Sequence, residues 1–369
     1  VSGVNGKRLR VWALAVTACL AGWAGAAAAA GAGTGRAPAQ GVGGVTAWLP
    51  YWEFPAALSS TLENSSLIGT ASPYWYQISG DSDVRLEPGA GSPTVISELL
   101  AHHQQVVPMV TEAAGFREFG QILSNPATRM ALVRALVRIA AHPGYAGLDV
   151  DFESFAYDPS HATTSEDRLA TLYSRFIAET CRALHAIGRT CQVAVMARTS
   201  SARTYAHGDI PTWLYDYRAL AAVADRIQLM AYDYHSPGGS AGPVAPLPWV
   251  KRVIAYAVTQ GDPRHFELGV PAYGYDWSGR TSATAVYAGQ VTALVDQVRA
   301  RPQWNALAGE ETFSYESHHL RHTVWVLNAR ADAERASLAA RAGLSGVAVW
   351  AAGYEQPQLW SGLDLHRPR

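Results

Sequence analysis

Gly147-Leu148-Asp149-Val150-Asp151-Phe152-Glu153 alternates apolar and acidic side chains without a break. Successive side chains of a β-strand point to opposite faces, so Asp149, Asp151 and Glu153 share one face, with neighbours roughly 6–7 Å apart. Leu148, Val150 and Phe152 point the other way, into apolar packing. Three carboxylates in a row repel one another, and a purely structural strand gains nothing from them. The stretch therefore reads as a buried strand that delivers carboxylates to a site, with a hydrogen-bonded core cluster as the plain alternative. Mg²⁺ or Ca²⁺ would also suit alternating carboxylates, but the spacing and glycine of an EF-hand loop are missing. No metal and no cofactor is expected.

Strand and helix patterns alternate on both sides of this stretch. Strands are expected at Val45 to Trp52, Ser72 to Ile78, Val106 to Thr111, Gly147 to Glu153, Val193 to Ala197, Arg226 to Tyr232, Phe266 to Tyr273 and Gly346 to Trp350. Helices are expected from Ser92-Pro93, from Asn125-Pro126, over Ser165 to Ile187, Tyr217 to Ala224, Leu247 to Gln260 and Ala331 to Ala342. Ser-Pro and Asn-Pro supply a capping side chain followed by a proline at the first helical position. Eight strand–helix units over about 320 residues imply a parallel sheet closed as a (β/α)₈ TIM barrel. The rival, an open doubly wound sheet, usually has fewer strands, and its glycine fingerprint after the first strand is absent. The connection between the last two strands is too long for a helix alone. Residues near 278–327 predict a small α+β insertion that walls one side of a cleft.

The 369-residue chain has a formal net charge of −1 with its signs interspersed, which gives no electrostatic footing for nucleic acid. Lys7, Arg8 and Arg10, the apolar run Val11 to Leu20 and the alanines Ala26 to Ala30 predict an export signal over residues 1–30. A Gly/Ala/Pro-rich linker follows over 31–44, and one domain over 45–369. An uncleaved anchor, or lipidation at Cys19 in Val16-Thr17-Ala18-Cys19, are the alternatives. Either route places the protein outside the cell or at its surface. In an oxidising compartment Cys181 and Cys191 can form a disulfide; two buried thiols are the other reading.

Active sites of such barrels lie at the C-terminal ends of the strands. Those ends carry Tyr51, Trp52, Tyr74, Trp75, Tyr76, Glu112, Asp151, Glu153, Met230, Tyr232, Asp233, Tyr273 and Trp350. Aromatic faces stack on the C–H faces of sugar rings, and carboxylates bind hydroxyls or move protons. Glu153, farthest toward the mouth, suits a general acid whose pKa is raised by burial and a neighbouring anion. A His318, His319 and His322 metal pair lacks a third ligand, so those residues read as a solvated loop.

The acidic strand resembles the Asp-Gly-x-Asp-x-Asp-x-Glu signature of glycoside hydrolase family 18, the chitinase-like family. Met230-Ala231-Tyr232-Asp233, Leu268-Gly269-Val270-Pro271-Ala272-Tyr273-Gly274 and Gly346-Val347-Ala348-Val349-Trp350 resemble its later strand blocks, in order. The resemblance spans roughly Thr46 to Trp360. Trp48-Leu49-Pro50-Tyr51-Trp52 and Gly274-Tyr275-Asp276-Trp277 lean toward a bacterial branch with spore-germination and cortex-lytic members. Two positions depart from the pattern: its first Asp is Ala146 here, and its Trp before Glu is Phe152.

The resemblance implies a secreted retaining enzyme that cleaves β-1,4 linkages next to N-acetylglucosamine, with the substrate's acetamido oxygen as nucleophile and an oxazolinium intermediate. It implies Glu153 as acid and base, Asp151 as the partner of the acetamido N–H, and Asp149 as the setter of the Asp151 charge. Tyr232 would hold the acetamido oxygen, Trp350 would floor the sugar site, and Asp233, Met230 and Tyr273 would line it. Tyr51, Trp52, Trp75 and Trp277 are candidates for outer subsites. A monomer acting on an N-acetylglucosamine-containing glycan is expected. A sugar-binding protein without catalysis is the competing function; loss of the glutamate would mark it, and Glu153 is present.

Overall fold

The computed structural model describes residues 44–158, 163–206, 210–279 and 281–364. The expected export signal, the lipidation site and nearly all of the expected linker lie outside these residues. Eight parallel strands close a barrel: β1 (Gly44–Leu49), β2 (Ile68–Ser79), β3 (Met109–Glu112), β4 (Gly147–Asp151), β5 (Thr190–Met196), β6 (Arg226–Met230), β7 (Phe266–Pro271) and β8 (Gly346–Trp350). Each pairs with the next in sequence, and β8 returns to β1 through the register Gly44↔Gly346 to Ala47↔Val349. The third strand, expected as one piece, is split at Val107-Pro108, because proline gives no N–H to a ladder.

The strand period sets the layers. On β4, Leu148 and Val150 are fully buried in the apolar layer between strands and helices, while Asp149 and Asp151 take the other face. The barrel interior is partly polar: Thr46 donates to Glu267 at 3.0 Å, and Gln228 donates to Gln192 at 3.2 Å. Toward the mouth it turns aromatic, with Trp48, Met109 and Ala348 packed against Tyr74, Tyr232 and Trp350. Two glycines are set by close approach. A Cβ at Gly147 would stand 2.3 Å from the carbonyl oxygen of Thr190, and one at Gly269 would stand 2.5 Å from that of Leu229 and 3.0 Å from the Tyr232 ring.

Helices run close to their expected spans, including Pro93–Ala101 with Ser92 as cap and Pro126–Ala140, where the Asn125 side chain accepts the Ala127 N–H at 2.9 Å. Three helices, Phe54–Glu63, Phe116–Ser124 and Gln358–Asp364, have no counterpart in the sequence reading. The N-terminus of Phe116–Ser124 follows Gly115, and the Phe116 N–H donates to Asp158, 42 residues away, at 2.9 Å. A cap supplied from a distant loop leaves no local signature. Cys181 and Cys191 are bridged with Cα atoms 5.1 Å apart, tying the helix Thr163–Ala186 to β5. A loop of that length restricts the unfolded chain by about 2–3 kcal/mol.

The insertion is a five-stranded antiparallel sheet with one helix, Val291–Val298. Its strands, in spatial order, are Ser282–Tyr287, Tyr273–Ser278, Leu320–Val326, Glu310–Ser317 and Gln303–Asn305. The sheet begins at Tyr273, directly after β7, rather than near residue 278. Pro271 ends the barrel ladder, and the next residue, Ala272, donates to the Trp350 carbonyl at 2.7 Å. His318 and His319, both at positive φ, form the tip of a hairpin. His322 instead faces Asp276 at 2.9 Å.

Candidate active site

Asp149 is the deepest of the three carboxylates. It is fully buried, and it accepts the Trp48 Nε1–H at 2.7 Å and the Ser72 hydroxyl at 2.9 Å. Burial pushes its pKa up to about 6, against the pull of those donors. Asp151 lies one step nearer the mouth and is also buried. Desolvation first, and then the charges of Glu153 and Asp149, hold it well above the usual carboxylate range.

Glu153 stands just past the end of β4, half-buried and hydrogen-bonded to Asp151. Desolvation, then the Glu112 charge, pushes it up to about 7, while hydrogen bonds from Asp151 and Tyr157 pull it down. At neutral pH such a carboxyl is divided between acid and carboxylate, which lets one group give and then take a proton.

The loop that holds Glu153 is built by Glu112, named above among the strand ends, and by Ser154, Tyr157 and Tyr215, which the sequence reading did not place in the site. The Glu112 carboxylate, at the end of β3, accepts the backbone N–H of Glu153 at 3.0 Å and of Phe155 at 2.7 Å. The Ser154 hydroxyl donates to the Glu112 carbonyl at 2.6 Å, and Tyr215 donates to the Phe152 carbonyl at 2.9 Å. Tyr157 follows in the same turn, its N–H 3.3 Å from the Glu153 carbonyl. Glu112 was legible as a strand-end carboxylate, but its clamp on backbone N–H groups had no signal in spacing.

Replacing Glu112 with Ala is expected to leave those two buried N–H groups unpaired and to lower stability by about 2–4 kcal/mol in denaturant melts. The wild-type side chain has a pH signature as well. Burial raises its pKa from 4.5 to about 8, so its favourable contribution is full below pH 4.5 and is lost as the pH climbs through 8.

The opposite wall comes from β6 to β8. Met230 ends β6 and is buried, and Tyr232 and Asp233 follow it. Asp233 adopts a left-handed φ of 57° and accepts the hydroxyls of Tyr273 at 2.5 Å and Tyr275 at 2.9 Å. The Tyr232 and Tyr273 rings meet edge to face at 6.3 Å. Trp350 ends β8 half-buried, its ring 5.9 Å from Trp48 and 6.3 Å from Trp52. Tyr51 and Trp52 sit in a 3-10 turn after β1, not in the strand, because Pro50 ends the ladder. Trp52 is 38% exposed and donates to the Tyr354 hydroxyl at 2.6 Å, and Tyr51 packs on Tyr74 at 5.4 Å.

Two expected subsite residues are corrected. Trp75 is 0% exposed and packs on Phe54 and Tyr145 in the layer outside the strands. Tyr74, its neighbour, takes the inner face, and a register shift between Tyr74 and Tyr76 obscures the alternation. Trp277 is also fully buried, beside Tyr275. Ala146, the departure from the signature, lies before β4 at the end of the barrel opposite the mouth. Seven residues of extended chain place it roughly 20 Å from Glu153, so the missing carboxylate is not part of the acid cluster.

The chain and its fold have counterparts. A family model for glycosyl hydrolases family 18 matches residues 101–355. The chain is 30% identical over 246 residues to the uncharacterized glycosylase YvbX of Bacillus subtilis (strain 168), covering 66% of this chain and 67% of that protein. It is 30% identical over 252 residues to the cortical fragment-lytic enzyme of the same strain, covering 66% of this chain and 55% of that one. Among solved structures, a chitinase from Chromobacterium violaceum superposes with a TM-score of 0.77 at 30% identity, over 89% of this chain and 99% of that chain. The chain belongs to glycoside hydrolase family 18.

Proposed function

We propose that the protein is a retaining glycosidase that cleaves β-1,4 linkages next to N-acetylglucosamine in chitin or peptidoglycan-type glycans, with the substrate's own acetamido group as nucleophile. The observation that carries this reading is the carboxylate series Asp149, Asp151 and Glu153, which climbs β4 to the barrel mouth and ends on a group whose pKa is near neutrality. Glu153 protonates the leaving oxygen as the bond to the anomeric carbon breaks. The acetamido oxygen forms the new bond to that carbon, giving a bicyclic oxazolinium ion. Asp151 accepts the acetamido N–H and offsets the positive charge. Water, deprotonated by Glu153, then opens the ring and restores the configuration.

Tyr232 orients the acetamido oxygen for attack. Trp350 carries the face of that sugar, with Met230, Asp233 and Tyr273 around it. Tyr51 and Trp52 extend the aromatic wall toward a neighbouring sugar. We further read residues 1–30 as an export signal, so that a monomer meets its glycan outside the cytoplasm.

Incubating the protein with chitin oligomers and with peptidoglycan, and identifying products by mass spectrometry, tests the reading. Expected products carry N-acetylglucosamine at the new reducing end with retained anomeric configuration. Binding of the oligomers without any product would favour the sugar-binding alternative. Oligosaccharides deacetylated at the reacting sugar should resist cleavage, since they lack the nucleophile. A pH profile adds a second check: the acid must hold its proton, so kcat/KM should fall about tenfold per pH unit above Glu153's value of about 7.

A further inference from the structure

Away from the mouth, a cavity of about 690 Å³ opens between the helices Tyr217–Ala221 and Leu247–Ala257, which flank β6 on the outside of the barrel. Arg218 and Arg252 line it from the two helices. Thr199, Ser200 and Ser201 line it from the segment after β5, and Tyr256 forms part of its wall. A third cation lies behind that ring. The Arg198 guanidinium, at 6% exposure, sits 5.4 Å from the Tyr256 ring centroid and 5.9 Å from that of Tyr217. It donates to the Tyr215 carbonyl at 2.9 Å, while its buried Nε has no partner.

Among the described residues, Arg218 and Arg252 reach backbone carbonyls, those of Thr259 at 3.2 Å and Pro248 at 3.3 Å. Among the described residues, none of these three guanidiniums pairs with a carboxylate, although Arg129, Arg175, Arg226 and Arg335 elsewhere all do. Three cations gathered round one tyrosine repel each other and leave forked N–H donors unused. Such donors match the oxygens of a carboxylate or phosphate, and hydroxyl groups beside them extend the match. The cavity is far larger than a bare anion, whose volume is a few waters of about 30 Å³ each. The Tyr256 ring adds a flat apolar face of the kind that stacks on a sugar.

We propose that this cavity is a second glycan-binding site, distinct from the catalytic cleft, that takes a sugar unit bearing an oxyanion, with Arg218 and Arg252 holding the charged group. A carboxylate or a phosphate can supply that oxyanion, and the test separates them. The full chain is titrated by calorimetry at fixed ionic strength with glucuronate, with N-acetylglucosamine 6-phosphate, and with N-acetylglucosamine as the neutral control. At least one anionic sugar should bind more tightly than the control, and the tighter of the two identifies the source of the charge. Arg218→Gln and Arg252→Gln should each weaken that binding by about tenfold. Both side chains are exposed and lie outside the cleft, so the melting temperature without ligand and the turnover of chitin oligomers should stay unchanged. Anionic sugars that bind no better than the neutral one would overturn the assignment. So would affinity that survives in the double variant, since it would then belong to the cleft.

Discussion

Glu153→Gln is expected to lower kcat by about 10³–10⁴-fold while leaving KM nearly unchanged. Glutamine keeps the shape and a hydrogen-bonding oxygen, but it cannot give a proton to the leaving oxygen or take one from water. Its amide still fits beside Asp151, so sugars should bind as before. The melting temperature should hold or rise slightly, because the substitution takes one acid out of a crowded group. Initial rates on a chitin tetramer and a thermal melt are the measurements. A variant within tenfold of wild type would place the acid elsewhere in the barrel.

Asp151→Asn is the second large effect, a loss of about 10²–10³-fold in kcat. The negative charge that offsets the oxazolinium ion is gone, and the amide presents an N–H where the acetamido N–H needs an acceptor. The variant is told apart from Glu153→Gln by its pH profile. Asp151's hydrogen bond helps to hold the pKa of Glu153 down, and the amide N–H of asparagine is a weaker donor than the carboxyl it replaces, so Glu153 ionises less easily. The alkaline limb of kcat/KM should therefore move to higher pH. A limb that moves to lower pH would mean that Asp151 acts on Glu153 as an anion rather than as a donor.

Much of this molecule was readable from local pattern. The alternation in Gly147 to Glu153 named the strand and its faces, since side-chain period is a backbone property. The proline-led helix starts at Ser92-Pro93 and Asn125-Pro126 were legible for the same reason. What was not legible came from long-range partners. The cap of Phe116–Ser124 is Asp158, and the clamp on the Glu153 loop is Glu112, 41 residues away. Trp75 was misplaced because β2 carries a register shift, so counting by twos from its end gives the wrong face. Tyr51 and Trp52 lie nearer the mouth than a straight strand would put them, since the chain turns at Pro50.

The double duty of Glu112 has a consequence for how this site can vary. One side chain both fixes where the acid stands and biases how tightly it holds hydrogen ions. Drift at that position would disturb placement and acidity together, so a shift in working pH would have to arise from a more remote neighbour such as Asp233, whose charge bears on Glu153 from the opposite wall.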